Sequence, residues 1–218
     1  PWSLLTRLPG QPLGPLLPLM DDADRQVVGE EMGRYLARLH SVAVSRFGEY
    51  FGEDPLARSQ ERAYVLGRLE EWAQECQEHE LLPDKLLDEV RQRVSTSPLL
   101  NRPRACLVHG DYHEDNINVE AGMVSYHVTG IFGFAYSCGW SPEWDMTGLF
   151  SGVFEQYPTL ERGFLDGYAD VGEIGPQFWD RLRLYQTLAA VRQVTHAHRA
   201  GQPDKIEEAR QRLEQLLS

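Results

Sequence analysis

Cysteine is scarce in this sequence. Cys76, Cys106 and Cys138 are odd in number, widely spaced and free of any CxxC pairing, which leaves no basis for a disulfide framework or a zinc site. A reducing, cytoplasmic setting is the expectation. Long apolar runs are lacking too. No stretch approaches the roughly 20 residues that cross a bilayer, and Pro1-Trp2-Ser3-Leu4 opens without a basic stretch leading into a hydrophobic segment, so neither membrane insertion nor a secretory leader is read here. The first residue is not Met, and a processed or trimmed start is expected. Positive charge is the third shortage: 21 Lys and Arg face 33 Asp and Glu, a formal net charge of −12. Such a surface repels phosphate backbones unless basic residues cluster, and no basic cluster is visible, which argues against nucleic acid as a partner. An acidic surface suits a cationic small molecule, although its ordinary role is to keep a protein soluble.

What is present is enough for a core. Hydrophobic residues make up 42% of the 218, sufficient for one domain or two closely joined subdomains. Residues 1–10 read as a short strand running into a Pro-Gly turn. Asp21, Asp22 and Asp24 offer N-caps to a helix with Val28, Met32, Tyr35, Leu36 and Leu39 at helical spacing, ending near His40. A glycine-bearing loop through Phe47-Gly48 and Phe51-Gly52 leads to a second helix carrying Leu66, Leu69, Trp72 and Cys76, and Leu86, Leu87, Val90 and Val94 mark a third. From Ala105 to Phe134 the pattern turns to short β-favouring pieces separated by polar loops. Helical periodicity returns after Asp145, in Met146/Leu149/Phe150/Val153, Leu160/Phe164/Leu165/Tyr168, Phe178/Leu182/Tyr185/Leu188 and Ile206/Ala209/Leu213/Leu216. The expected class is α+β, predominantly α, with a small central β region.

One stretch carries chemistry. His109-Gly110-Asp111-Tyr112-His113-Glu114-Asp115-Asn116 has the form HGDxxxxN directly after an apolar strand. In kinase-type phosphoryl transfer an Asp orients the acceptor hydroxyl and takes its proton, and an Asn five residues on ligates Mg²⁺ from the same loop. Asp111 and Asn116 have that spacing. His109 is read as a loop brace, since Asp111 already fills the place of the base, and His113 as a surface loop residue. A chance HGD after a strand is the bland alternative. The order of elements, helices before, strands in the middle and helices after, weighs against it.

With these residues the chain resembles the aminoglycoside phosphotransferase and choline-kinase-like family, whose fold is that of protein kinases. LLTRLPGQPL, from Leu4 to Leu13, resembles the family's hinge, and Leu39-His40 resembles the end of its first C-lobe helix. The resemblance implies a hinge-like strand and turn over 1–12 and a kinase-like C-terminal lobe over 13–218, with a catalytic-loop region at 105–145 and a helical subdomain at 146–218. It implies ATP and Mg²⁺ as cofactors, Asp111 as the catalytic residue, Asn116 as a metal ligand, and backbone groups of Thr6 and Leu8 facing the nucleotide. His109 and Asp145 support the loop, Asp145 also capping the following helix. The acceptor is a small-molecule hydroxyl, aminoglycosides and hence antibiotic resistance among the implied cases, with Glu155, Asp166, Asp170 and Glu173 as acidic residues able to face a cationic acceptor.

Two departures qualify that picture. The family's second metal-binding residue is an Asp at a strand end, in a motif of the form I-D-F/W. Here the segment reads Gly130-Ile131-Phe132-Gly133-Phe134, with Gly133 in the Asp position and no Asp or Glu from Ala121 to Pro142. Asp115 and Glu143 are the substitute ligands weighed. The family's N-terminal lobe, with its phosphate-holding strand Lys and partner Glu, has no counterpart before Leu4. The expectation is a C-lobe impaired in phosphate transfer, or a pseudoenzyme that binds or regulates, with association with a missing lobe or a second copy through Leu4, Leu5 and Leu8.

Overall fold

The computed structural model describes residues 8–50 and 53–218; Leu4, Leu5 and Thr6 of the hinge-like segment, and Phe51-Gly52, lie outside them. The fold is α+β and mainly helical, and the chain divides into two compact units, each built from discontinuous pieces.

The first unit comprises the described residues up to Val42, then His109–Ser137 and Gly148–Ile174. Its sheet is antiparallel, in the order β1 (Gln11–Pro12), β5 (Ile117–Ala121), β6 (Tyr126–Ile131). Gln11 pairs with Val119, and Ile117 pairs with Ile131. Helix α1 (Asp22–His40) starts where the sequence places it: the Asp21 side chain accepts from the Asp24 N–H at 2.8 Å. It lies against α6 (Pro158–Ala169) at backbone contact distance. A Cβ on Gly33 would meet the Phe164 carbonyl oxygen at 2.1 Å, and one on Gly167 would meet that of Glu30 at 1.9 Å. Glycines four residues apart on both helices, Gly29 and Gly33 with Gly163 and Gly167, therefore set the crossing. The periodicity expected to run through Val153 is broken: α4 (Glu143–Phe150) ends before Gly152, and α5 (Val153–Gln156) is a separate turn.

The second unit comprises Ala43–Val108, Cys138–Thr147 and Gly175–Ser218. Helices α2 (Glu61–Glu78), α3 (Asp84–Thr96), α7 (Phe178–Arg199) and α8 (Pro203–Leu217) follow the predicted runs. They enclose a core with Trp72, Trp140 and Trp144 stacked, the last two 4.1 Å apart and 1° from parallel. This unit also holds an antiparallel sheet, in the order β2 (Ala43–Val44), β4 (Ala105–Val108), β7 (Cys138–Trp140), β3 (Gly48–Glu49), of which β4 is the strand expected before the HGD motif and the other three are not predicted from sequence. Strands of two or three residues are too short to show a period of two. Phe47, read as part of the loop, is fully buried and bridges to Arg58. No helix among the described residues is long and apolar enough to cross a membrane.

Candidate active site around Asp111

The HGDxxxxN loop leaves β4 and enters the first unit at His109, which is fully buried. Its Nδ1 accepts from the Asp111 N–H at 3.2 Å, and its Nε2 lies 2.9 Å from the Phe132 carbonyl oxygen. One imidazole tautomer satisfies both, with the proton on Nε2 and directed at Phe132. The Phe134 ring packs on the imidazole with centroids 4.4 Å apart. Gly110 follows at φ +83°, where a Cβ would meet the Tyr136 carbonyl oxygen at 2.1 Å, so only glycine fits. Tyr112, also buried, donates its hydroxyl to the Met32 carbonyl of α1 at 2.9 Å. The loop is thus pinned to the strand end on one side and to α1 on the other.

Between these pins the polar groups face outward. The Asp111 side chain is 43% exposed. Asn116 turns its Nδ2 back to donate to the Asp111 backbone oxygen at 2.9 Å and to Asp111 Oδ2 at 3.1 Å. His113, read from sequence as a surface loop residue, belongs to the same cluster: its Nε2 is 3.0 Å from Asn116 Nδ2 and 3.6 Å from Asp111 Oδ2, and its Nδ1 accepts from the Asp115 N–H. The Asp111 carboxylate, through this polar contact first and its charge second, raises the imidazole above its usual pKa against the opposing effect of partial burial. Its position two residues after Asp111 was the available signal, since the loop must fold back for Asn116 to meet Asp111.

The sheet register completes the site. Pairing of Ile117 with Ile131 sets Phe132 opposite Asn116, and the Phe132 N–H donates to the Asn116 carbonyl at 3.0 Å. Gly133 follows, exposed, with φ +87° and ψ 29°. A Cβ there would lie 2.8 Å from Asn116 Oδ1 and 2.9 Å from its Cγ and Nδ2. Asp111, Asn116 and Gly133 are therefore brought together, and the carboxamide oxygen of Asn116 faces a residue with no side chain.

The remaining residues named from sequence fall elsewhere. Leu8 is partly buried, its side chain against Gly130 of β6, and the Pro9 carbonyl accepts from Asn118 and Thr129 of the same sheet. Asp145 is buried inside the first turn of α4 rather than at its cap. Asp170, weighed as an acceptor-facing residue, pairs with Arg34 at 3.1 Å.

The donors do not assemble the expected Mg²⁺ site. Magnesium takes oxygen ligands in near-octahedral array, usually with one or two carboxylates. Asn116 supplies one neutral oxygen, and residue 133 supplies none. Asp115 Oδ1 is turned towards Gly14, where an added Cβ would lie 2.5 Å away. Glu143 belongs to a buried network in the second unit, where Arg181 Nε donates to it at 2.9 Å and Arg102 at 2.8 Å. Glu61 completes that network, accepting from Arg181 Nη2 at 2.5 Å, Ser141 at 2.5 Å and Tyr185 at 2.7 Å. Among the described residues no group of three His, Cys, Asp or Glu could hold a metal ion. The sequence signal for the network was an Arg amid Leu182, Leu184, Tyr185 and Leu188 on one helix, which burial obliges to find carboxylates.

Residues 1–185 match the phosphotransferase enzyme family, APH. The chain belongs to that family. Solved structures share the APH fold. Macrolide 2′-phosphotransferase type I matches at TM-score 0.61 and 17% identity, over 87% of this chain and 60% of its own. The GDP complex of wild-type aminoglycoside 2′-phosphotransferase-IIIa matches at TM-score 0.64 and 18% identity, over 97% and 68%. The macrolide 2′-phosphotransferase of Brachybacterium faecium, an apoenzyme, matches at TM-score 0.59 and 17% identity, over 98% and 72%. This APH member thus spans 60% of the length of the first of them. A search of curated proteins finds no match.

Proposed function

We propose that this APH chain is the C-terminal lobe of an ATP- and Mg²⁺-dependent phosphotransferase of small-molecule hydroxyls, in which phosphoryl transfer is strongly impaired at residue 133. Asp111 is the residue assigned to orient the acceptor hydroxyl and take its proton. Its exposure beside a buried, hydrogen-bonded His109 supports that assignment, because a base must be held still yet reach the acceptor. Asn116 is assigned to the metal, His109 and Asp145 to loop support, and the backbone at Thr6 and Leu8 to the nucleotide. A division into a hinge over 1–12 and a lobe over 13–218 goes with this reading, as does a cytoplasmic location. Aminoglycosides and macrolides, which the solved relatives are named for, are the acceptor classes to try first.

The observation that carries the impairment is Gly133, with a left-handed backbone and no side chain against Asn116. Metal that bridges the loop to the nucleotide's phosphates neutralises charge developing in transfer, and a missing carboxylate weakens that hold. A binding or regulatory pseudoenzyme is the second reading, favoured by the inward bonds of the Asn116 carboxamide to Asp111, which satisfy the cluster without a metal.

Labelled ATP and Mg²⁺ are mixed with the chain and a panel of aminoglycosides, macrolides and amino alcohols. Transfer no greater than that of the Asp111→Asn variant is expected. Robust turnover that Asp111→Asn abolishes would overturn the impaired reading.

A further inference from the structure

The second unit carries an open hollow of about 330 Å³ at the end of the β2–β4 ladder, lined by Val44, Ser45, Arg46, Ser59, Pro103 and Arg104 among others. The register sets it up. Ala43 pairs with Cys106 and Val44 with Ala105, so Ser45 and Arg104 emerge together where the two strands leave the sheet. No Asp or Glu lines the hollow, in a chain where acids outnumber bases 33 to 21.

Its two cations are differently held, and neither forms an ion pair with a described carboxylate. The Arg46 guanidinium donates to the Glu49 backbone oxygen at 3.1 Å and lies 5.4 Å from the centroid of the Tyr50 ring. Those contacts fix its position and leave its charge uncompensated. Arg104 is exposed and forms no ion pair with any described carboxylate. The hydroxyls of Ser45 and Ser59 add neutral donors at the rim.

We infer that this hollow binds the phosphate group of a small phosphorylated metabolite. Guanidinium groups match phosphate oxygens in pairs, and Arg46 and Arg104 both line the hollow. The volume is at the lower end of the range for small-molecule pockets, enough for a phosphate and a sugar-sized remainder. The lining residues all belong to the second unit, whereas the Asp111 loop belongs to the first and presents a carboxylate, which disfavours anions.

Isothermal titration at low salt, with inorganic phosphate and glucose 6-phosphate as probes, tests the assignment. Saturable binding is expected, with glucose 6-phosphate the tighter. Arg104→Ala weakens it by about ten-fold or more, as loss of a charge-assisted contact does, while Asp111→Asn leaves it unchanged. Arg104→Ala removes no side-chain hydrogen bond or ion pair to another described residue, so an unchanged melting temperature accompanies the loss, and Arg46→Ala gives a second measure. Failure of both probes to saturate by about 10 mM, or undiminished binding by Arg104→Ala, would overturn the site. Tighter binding of inorganic phosphate than of the sugar phosphate would overturn the metabolite as its occupant.

Discussion

Adding one carbon at residue 133 is the sharpest perturbation available. Alanine there must hold φ near +87°, which costs a residue with a Cβ about 1 kcal/mol or more relative to glycine. The new Cβ would sit 2.8 Å from Asn116 Oδ1, so the carboxamide has to swing away. Swinging forfeits the Nδ2 bonds to the Asp111 backbone oxygen and to Oδ2, each worth about 0.5–1.5 kcal/mol net, with water recovering part because the cluster is half exposed. Gly133→Ala is therefore expected to destabilise the chain by about 2–3 kcal/mol in metal-free buffer. Gly133→Asp should lose at least as much there, since its carboxylate is added beside Asp111. It alone should recover stability when Mg²⁺ and ATP are supplied, the carboxylate then having a cation to face. Urea denaturation followed by far-ultraviolet circular dichroism, with and without Mg·ATP, measures both. A Gly133→Ala variant within about 0.5 kcal/mol of the parent would refute the steric argument, and no Mg·ATP response from Gly133→Asp would show that the missing carboxylate is not the only defect.

Other outcomes follow from the second unit. Arg181→Met leaves Glu61 and Glu143, 1% and 3% exposed, without their shared cation, and should cost about 3–5 kcal/mol in urea denaturation, the range for breaking a buried ion pair; a loss under about 1 kcal/mol would contradict the geometry. Burial alone would raise the Glu61 pKa, but the Arg181 guanidinium, Ser141 and the Arg102 N–H together hold it below the ordinary carboxylate value. The folded state thus binds fewer protons than the unfolded one: this stabilisation is present above about pH 4.5 and is lost as pH falls through the lower folded pKa. Acid titration of stability shows it as a steep acid limb, which Glu61→Gln should flatten. Burial pushes each of Cys76, Cys106 and Cys138 up to about 12, with Asp145 adding to the last two. Iodoacetamide at pH 8 should leave all three unmodified in the native chain and label all three in urea, read by intact mass.

Long amphipathic helices were legible in the sequence because each repeats its apolar spacing over several turns, and α1 also marks its start with the Asp21 cap. The Asp111 to Asn116 spacing was legible because both side chains come from one short loop. Of the four-stranded sheet only β4 was legible, since the pairing joins residues far apart in the chain through strands of two to four residues. The Glu61–Arg181–Glu143 network was hidden for the same reason: its charges lie up to 120 residues apart and meet only by burial.

By itself the sequence determined that this is an APH-type chain with the loop residues of a phosphotransferase and a glycine in place of an acid, because motif and spacing are local. Only the tertiary structure decided what that glycine faces. The pairing of Ile117 with Ile131 carries Gly133 to the Asn116 carboxamide, and the same folding draws His113 into the cluster and commits Glu143 to Arg181. Those are long-range consequences of register and burial, which no local pattern encodes.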